Sequence, residues 1–406
     1  MFANLSLAPE DPILGLAAAF SRDPSPDKIN IAQGIYLNED GRTPTLAAVR
    51  RAEELLLQAA PPKTYLPIEG SAKYNEGVAE LVLGSALRAQ LGARVAVLQT
   101  PGGTGAVRLG AEIVRLMNGG VTAWISNPTW PNHPNVCRAA GLQAAEYPYF
   151  NFAKKRRDID ATLATLAKAT RGDVVVLHGC CHNPTGDDPS ESEWRAILTA
   201  IQQQGLVPLF DSAYQGLARG LEQDAYPIRL AAEMGLEFLA AVSFSKNLGL
   251  YGERVGALLI VGRDAEHVKR ALSQAKTVVR TAWSSPSAHG ARVAETVMTN
   301  PELRTLWLTE LESMRTRLVQ MRQDMVRLMG ERGFGEQFAP FAEQHGMFAL
   351  TDLSGERARW LRHEHKLYLI ESGRINIAGL NKKNQVAVAD LFARALAREE
   401  TPVASK

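Results

Sequence analysis

The chain has 406 residues, 46% hydrophobic and 22% charged, the make-up of a globular protein of roughly two to three domains. Its 45 Lys and Arg against 43 Asp and Glu leave a net charge of +2, which argues against a nucleic-acid partner. Three cysteines, Cys137, Cys180 and Cys181, form neither a disulfide framework nor a zinc pair, so a reducing, cytoplasmic setting without a metal is expected.

The first apolar run, residues 13–20, is too short to span a bilayer. It follows Glu10, Asp11 and Pro12 rather than a basic segment, so it reads as a helix with Pro12 in its first turn and Asp11 as N-cap. No membrane partner is expected. Six short apolar runs then read as buried strands: 95–99, 121–125, 174–178, 207–210, 239–244 and 255–261. Helical patterns lie between most of them, at 105–117, 132–140, 159–169, 191–204 and 227–235. This alternation predicts an α/β domain with a mainly parallel sheet covered on both faces. A long helical pattern follows at 305–330. Apolar runs at 346–351, 367–370 and 374–377 suggest a small sheet, and a closing helix is expected after Asn381 as its cap. These last elements read as a second, smaller α+β lobe.

Ligands of open parallel sheets bind beyond the carboxyl ends of the strands. After residues 95–99 comes Thr100-Pro101-Gly102-Gly103-Thr104-Gly105-Ala106. Glycines there admit an anion to backbone N–H groups, although a tight turn explains them equally well. The stretch is neither a Walker A motif nor GxGxxG. After 174–178 comes Gly179-Cys180-Cys181-His182-Asn183-Pro184-Thr185-Gly186, and after 207–210 come Asp211 and Tyr214. Ser245-Lys246-Asn247 follows the next strand, and Arg254 precedes the last. A lysine at such a place is either a snorkelling surface residue or a nucleophile able to form a Schiff base. Together the set offers a lysine, an acid, hydroxyl and amide donors, and an anion cradle, which is what pyridoxal phosphate needs.

These stretches, with Tyr65 to Gly70, Ser126 to His133, Ser243 to Arg254 and Ser372-Gly373-Arg374-Ile375-Asn376, resemble the aspartate/aromatic amino acid branch of the fold type I pyridoxal-phosphate aminotransferases. The resemblance covers nearly the whole chain, in order and with similar spacing. It implies a large domain over residues 45–314, with a seven-stranded, mainly parallel sheet between helices. Residues 1–44 and 315–406 would form the small domain and an N-terminal arm. It also implies roles. Lys246 would carry the cofactor and shuttle the substrate proton. Asp211 would pair with the ring nitrogen, with His133 behind it. Asn183 and Tyr214 would hold the ring oxygen, and Trp130 would stack on the ring. Gly103, Thr104, Ser243, Ser245 and Arg254 would hold the phosphate, and Tyr65 would reach the phosphate of the neighbouring subunit in a homodimer. Arg374 would clamp the substrate α-carboxylate, with Gly34, Trp130 and Asn183 also at the substrate. Arg280 would reach across the dimer to a second carboxylate.

The implied activity is ping-pong transfer of the amino group of Phe, Tyr, Trp, Asp or Glu to 2-oxoglutarate or oxaloacetate. Ile35, Leu37 and Ser285 are the expected specificity positions. Leu37 stands where aspartate-specific members carry lysine, and Ser285 where they carry Asn, which favours aromatic donors. Thr43 and Thr104 look more like the aspartate enzymes, and Trp283 replaces a tyrosine usual in both groups. An aspartate-specific aminotransferase is the alternative. A fold type I lyase or decarboxylase, or a non-catalytic binding protein on this fold, are more distant ones.

Overall fold

A computed structural model describes residues 2–7 and 12–398. The expected cap Asp11 lies outside the described residues. The chain divides into two compact units. The larger holds residues 44–317 and the triplet 344–346; the smaller holds the described residues up to Thr43, residues 318–343 and those from Met347 onward.

The larger unit is built on seven strands: β1 (Val95–Pro101), β2 (Thr122–Asn127), β3 (Gln143–Pro148), β4 (Val174–His178), β5 (Val207–Ser212), β6 (Phe238–Ser243) and β7 (Val255–Val261). They form one sheet in the order β1-β7-β6-β5-β4-β2-β3. Only β7 runs antiparallel to its neighbours. Every residue of β4, β6 and β7 is buried, the pattern of strands covered on both faces. Six of the seven were legible as apolar runs. The seventh, β3, is an edge strand of sequence QAAEYP with only Tyr147 buried, so it carries no apolar run.

Helix α1 (Gly102–Met117) packs Val107, Leu109, Ile113 and Val114 against Leu98, Leu209, Leu258 and Ile260 of the sheet. It begins three residues earlier than its sequence pattern, so Gly102 and Gly103 form its first turn rather than a preceding loop. Helix α2 (Glu191–Gln204) starts with a capping box: Glu193 N–H donates to the Ser190 hydroxyl, and the Ser190 N–H donates to the Glu193 carboxylate. Gly205, at φ 64°, closes it.

The smaller unit contains two separate two-stranded sheets rather than one. Ile29–Asn30 pairs parallel with Leu367–Tyr368, and Phe348–Leu350 pairs antiparallel with Arg374–Asn376. The strand at 29–30 is too short to show any periodicity. Leu16, Ala32, Tyr368 and Ile370 form a local core against which Phe20 packs. The closing helix runs Gln385–Leu396 from Asn384. It therefore starts later than the sequence suggests, because the Asn381 side chain instead accepts the N–H groups of Lys383 and Asn384 in a preceding turn.

The sheet and the first turn of α1 meet without room for a side chain. A Cβ at Gly256 in β7 would lie 2.5 Å from the Gly102 carbonyl carbon and 2.7 Å from the Val242 oxygen. The Gly256 carbonyl also accepts the Tyr74 hydroxyl at 2.9 Å. We predict that Gly256→Ala lowers unfolding free energy by about 1–3 kcal/mol, measured by urea denaturation. An unchanged midpoint would contradict this close approach.

Candidate active site

Ten of the residues singled out from the sequence line one pocket of the larger unit: Gly103, Thr104, Trp130, Asn183, Asp211, Tyr214, Ser243, Ser245, Lys246 and Arg254. Each arrives from a strand end, from the loop after one or, for Gly103 and Thr104, from the first turn of α1. Asp211 belongs to β5 itself, which continues past the apolar run 207–210, and Ser243 is the last residue of β6. His178 and Ala213 also line the pocket. Sequence reasoning missed His178, whose signal was a polar residue closing an otherwise apolar strand, VVVLH. Its register partner across the sheet is Asp211.

Asp211 is the electrostatic centre. It is 7% exposed. One carboxylate oxygen lies 3.0 Å from His133 Nε2, and the Nδ1 of that ring lies 2.8 Å from the Thr129 hydroxyl. The carboxylate only accepts, so Nε2 carries the proton and, in the neutral ring, Nδ1 accepts from Thr129. The other oxygen, Oδ1, is buried with no hydrogen-bond partner among the described residues. Burial pushes the Asp211 carboxyl up, but the His133 hydrogen bond and the charges of His133 and Lys246 outweigh it and hold it below the usual range. The acid is therefore ionised, with one oxygen available to a cationic N–H.

The same pocket holds an anion cradle. α1 presents its N-terminus through Gly102 and Gly103. A Cβ on Gly103 would come within 3.0 Å of Ser243 Cβ, and one on Gly102 would meet the Arg254 guanidinium at 2.6 Å. Ser245 N–H donates to Ser243 Oγ at 3.3 Å. Arg254 takes φ 53° and donates to the Tyr251 carbonyl. Lys246 Nζ sits 4.9 Å above the Tyr214 ring centroid. A buried carboxylate oxygen awaiting a cation, a helix N-terminus with serines and an arginine, and a lysine amine in the same pocket fit pyridoxal phosphate.

Two further features shape the wall. His178 packs 5.0 Å from the His133 ring and 4.2 Å from that of His182. His182 is held by Ser126 and Thr185 and stacks on Tyr149. The loop carrying Asn183 is fixed at both ends. Asp188 accepts the Cys181 and His182 N–H groups at 2.7 and 2.8 Å, and the Gly186 carbonyl accepts His345 N–H at 2.7 Å. Beside it, a Cβ on Gly346 would sit 2.4 Å from Cys181 Cβ.

The remaining predicted residues do not line this pocket. Tyr65 is 95% exposed. Arg280 is exposed and donates to the Ser284 hydroxyl, next to Ser285. Arg374, Gly34, Ile35 and Leu37 belong to the smaller unit. There Arg374 is 3% exposed and donates to the Ala32 carbonyl at 2.9 Å. Asn376 ties down the Gly34 segment by donating to the carbonyls of Gln33 and Ile35 at 2.6 and 2.7 Å.

The model of the aminotransferase class I and II family matches residues 26–391. The chain belongs to that family. An aspartate aminotransferase of Escherichia coli is 43% identical, covering 98% of this chain and all of its own. An aromatic-amino-acid aminotransferase of Pseudomonas aeruginosa is 42% identical over 98% of this chain and 99% of its own. The crystal structure of an aromatic-amino-acid aminotransferase from Burkholderia pseudomallei, covalently bound to pyridoxal phosphate, superposes with a TM-score of 0.94. It is 41% identical and covers 98% of this chain and 99% of its own.

Burial holds the His178 ring neutral, lowering its pKa to about 3 with help from His133, and His182 shifts the same way for the same reason. An unfolded histidine titrates near 6.5, so between that pH and about 3 the unfolded chain binds the extra proton. The stability this gives is fully present above pH 6.5 and is lost as pH falls toward 3, by about 1.4 kcal/mol per pH unit per histidine. Urea unfolding at pH 6.5, 5.5 and 4.5 should show this slope, and His178→Gln should remove one proton's worth of it. An equal slope in the variant would refute the assignment.

Proposed function

We propose that this chain is a pyridoxal-phosphate-dependent aminotransferase. It moves the amino group of an aromatic amino acid (Phe, Tyr or Trp), or of Asp or Glu, to 2-oxoglutarate or oxaloacetate in two half-reactions. The observation that carries this reading is the ionised, buried Asp211 with one oxygen on His133 and the other unpartnered, in a pocket shared with Lys246. When bound, the cofactor supplies an electron sink for the α-carbon of the amino acid.

The chain's own residues do the rest. Asp211 keeps a proton on the ring nitrogen, and His133 holds Asp211 in place. Asn183 and Tyr214 donate to the ring oxygen, and Trp130 covers a ring face. Gly103, Thr104, Ser243, Ser245 and Arg254 hold the phosphate, Arg254 with a fork suited to two oxygens. Lys246 Nζ would hold the cofactor and, as a free amine, would take the α-proton. Arg374 takes the α-carboxylate, beside Gly34.

Tyr65 and Arg280 are exposed and stand apart from the pocket lining of their own chain, which supports a homodimer in which each serves the neighbouring site. Arg280 then takes the second carboxylate of a dicarboxylic substrate. Leu37 and Ile35, with Ser285, give a less charged lining that suits an aromatic ring. The setting is cytoplasmic, in keeping with three buried cysteine thiols. An aspartate-preferring enzyme is the second reading, favoured by Thr43 and Thr104.

Lys246→Ala should still bind cofactor, seen by its visible absorbance, yet lose steady turnover; full activity in that variant would sink the mechanism. Wild-type kcat/KM should be higher for phenylalanine than for aspartate with 2-oxoglutarate. Aspartate winning by more than about tenfold, a difference of about 1.4 kcal/mol, would establish the second reading. Mixing Lys246→Ala and Arg280→Ala subunits should restore aspartate turnover that neither has alone, because hybrid dimers regain one intact site. No recovery on mixing would place Arg280 outside the neighbour's site.

A further inference from the structure

We propose that Phe348 is a positioning residue that orients the Arg374 guanidinium and thereby sets the affinity for the α-carboxylate of every donor. This rests on the reading of Arg374 as the carboxylate-binding residue.

An arginine holds a carboxylate through two parallel N–H bonds only when the plane of its fork is fixed. Its side chain has several rotatable bonds, so something must fix that plane. The Ala32 carbonyl accepts one Nη2–H of Arg374 at 2.9 Å. The Phe348 ring supplies a flat surface. The guanidinium carbon lies 4.3 Å from its centroid, well within cation–π range.

The ring is itself immobilised. Phe348 is 2% exposed and lies in the strand paired with Arg374–Asn376. Its direct partner is Asn376, so Arg374 is its diagonal neighbour on the same face. The Phe348 carbonyl accepts Nη2–H of Arg322 at 2.5 Å, and Arg322 is 2% exposed. A Cβ at Gly34 would lie 3.4 Å from Cζ of the ring, so the tip of the ring is next to Gly34. Phe348 thus has Gly34 at its tip and Arg374 over its face. Gly34 belongs to the expected specificity segment and Arg374 is the carboxylate clamp.

A residue that merely filled the core would tolerate leucine with a general loss of stability and nothing specific. A positioning ring predicts a loss confined to carboxylate affinity and rescue by another aromatic face. The test compares wild type, Phe348→Leu and Phe348→Tyr in the holoenzyme. It reads kcat and KM for phenylalanine and for aspartate, calorimetric binding of 3-phenylpropanoate (a carboxylate without an amine) and thermal melting. Phe348→Leu should weaken 3-phenylpropanoate about tenfold and raise both KM values by a similar factor, with kcat within about twofold. Phe348→Tyr should restore all three. Unchanged binding in the leucine variant, a loss for one donor only, or a tyrosine variant as weak as leucine would each overturn the proposal. So would a leucine variant that no longer melts cooperatively, since Phe348 would then be a core residue. Wild type that transaminates neither donor yet binds 3-phenylpropanoate would leave the positioning role intact and refute the function proposed above.

Discussion

An ionised carboxylate that is 7% exposed is tolerated only where donors or cations face it. Much of the larger unit answers that demand at Asp211. His133 can serve Oδ2 because Thr129 fixes its ring from the other side. Thr129 and His133 are set there by the turn after β2 and the helix that follows, and Asp211 is set by β5. The sheet register then places His178 beside the acid, where burial keeps it neutral. A cation there would satisfy Asp211 Oδ1. The neutral histidine fills the space without satisfying the carboxylate, so Oδ1 stays available.

The two units hold their charged side chains by different means. In the larger one, position comes from the backbone: strand ends deliver Asp211 and Ser243, and a helix start delivers Gly103 and Thr104. In the smaller one, the strands that carry Phe348 and Arg374 are three residues long and fix little alone. There the work falls to side chains, with Asn376 bridging two carbonyls and Arg374 lying against an aromatic ring. Long hydrogen-bonded ladders resist small substitutions, whereas side-chain stacks respond to them. Changes in donor preference are therefore easier to introduce through the smaller unit than through the sheet.

What could be read from the sequence followed from burial. Strands buried on both faces carry continuous apolar runs, so β4, β6 and β7 announced themselves, and the motif residues at their ends came with them. Edge strand β3 did not, because water covers much of it and Glu146 and Gln143 can stay. The strand at 29–30 was invisible for a different reason: it pairs with 367–368, more than three hundred residues away, and two residues show no period. Lys246, Asp211 and Arg254 were ambiguous one at a time and gained meaning only as a set in order along the chain. His178 needed the register between β4 and β5, and Phe348 needed its distance from Arg374. No spacing rule reports either.

Residues 344–346 are grouped with the larger unit although the chain on both sides belongs to the smaller one. Gly346, at φ 74°, leaves no room for a Cβ beside Cys181. The triplet is thus carried by the C-terminal segment but packs within the larger unit. A chimaera that imports residues 318–406 from a relative also imports the triplet, and it needs a glycine at 346 to fit against Cys181.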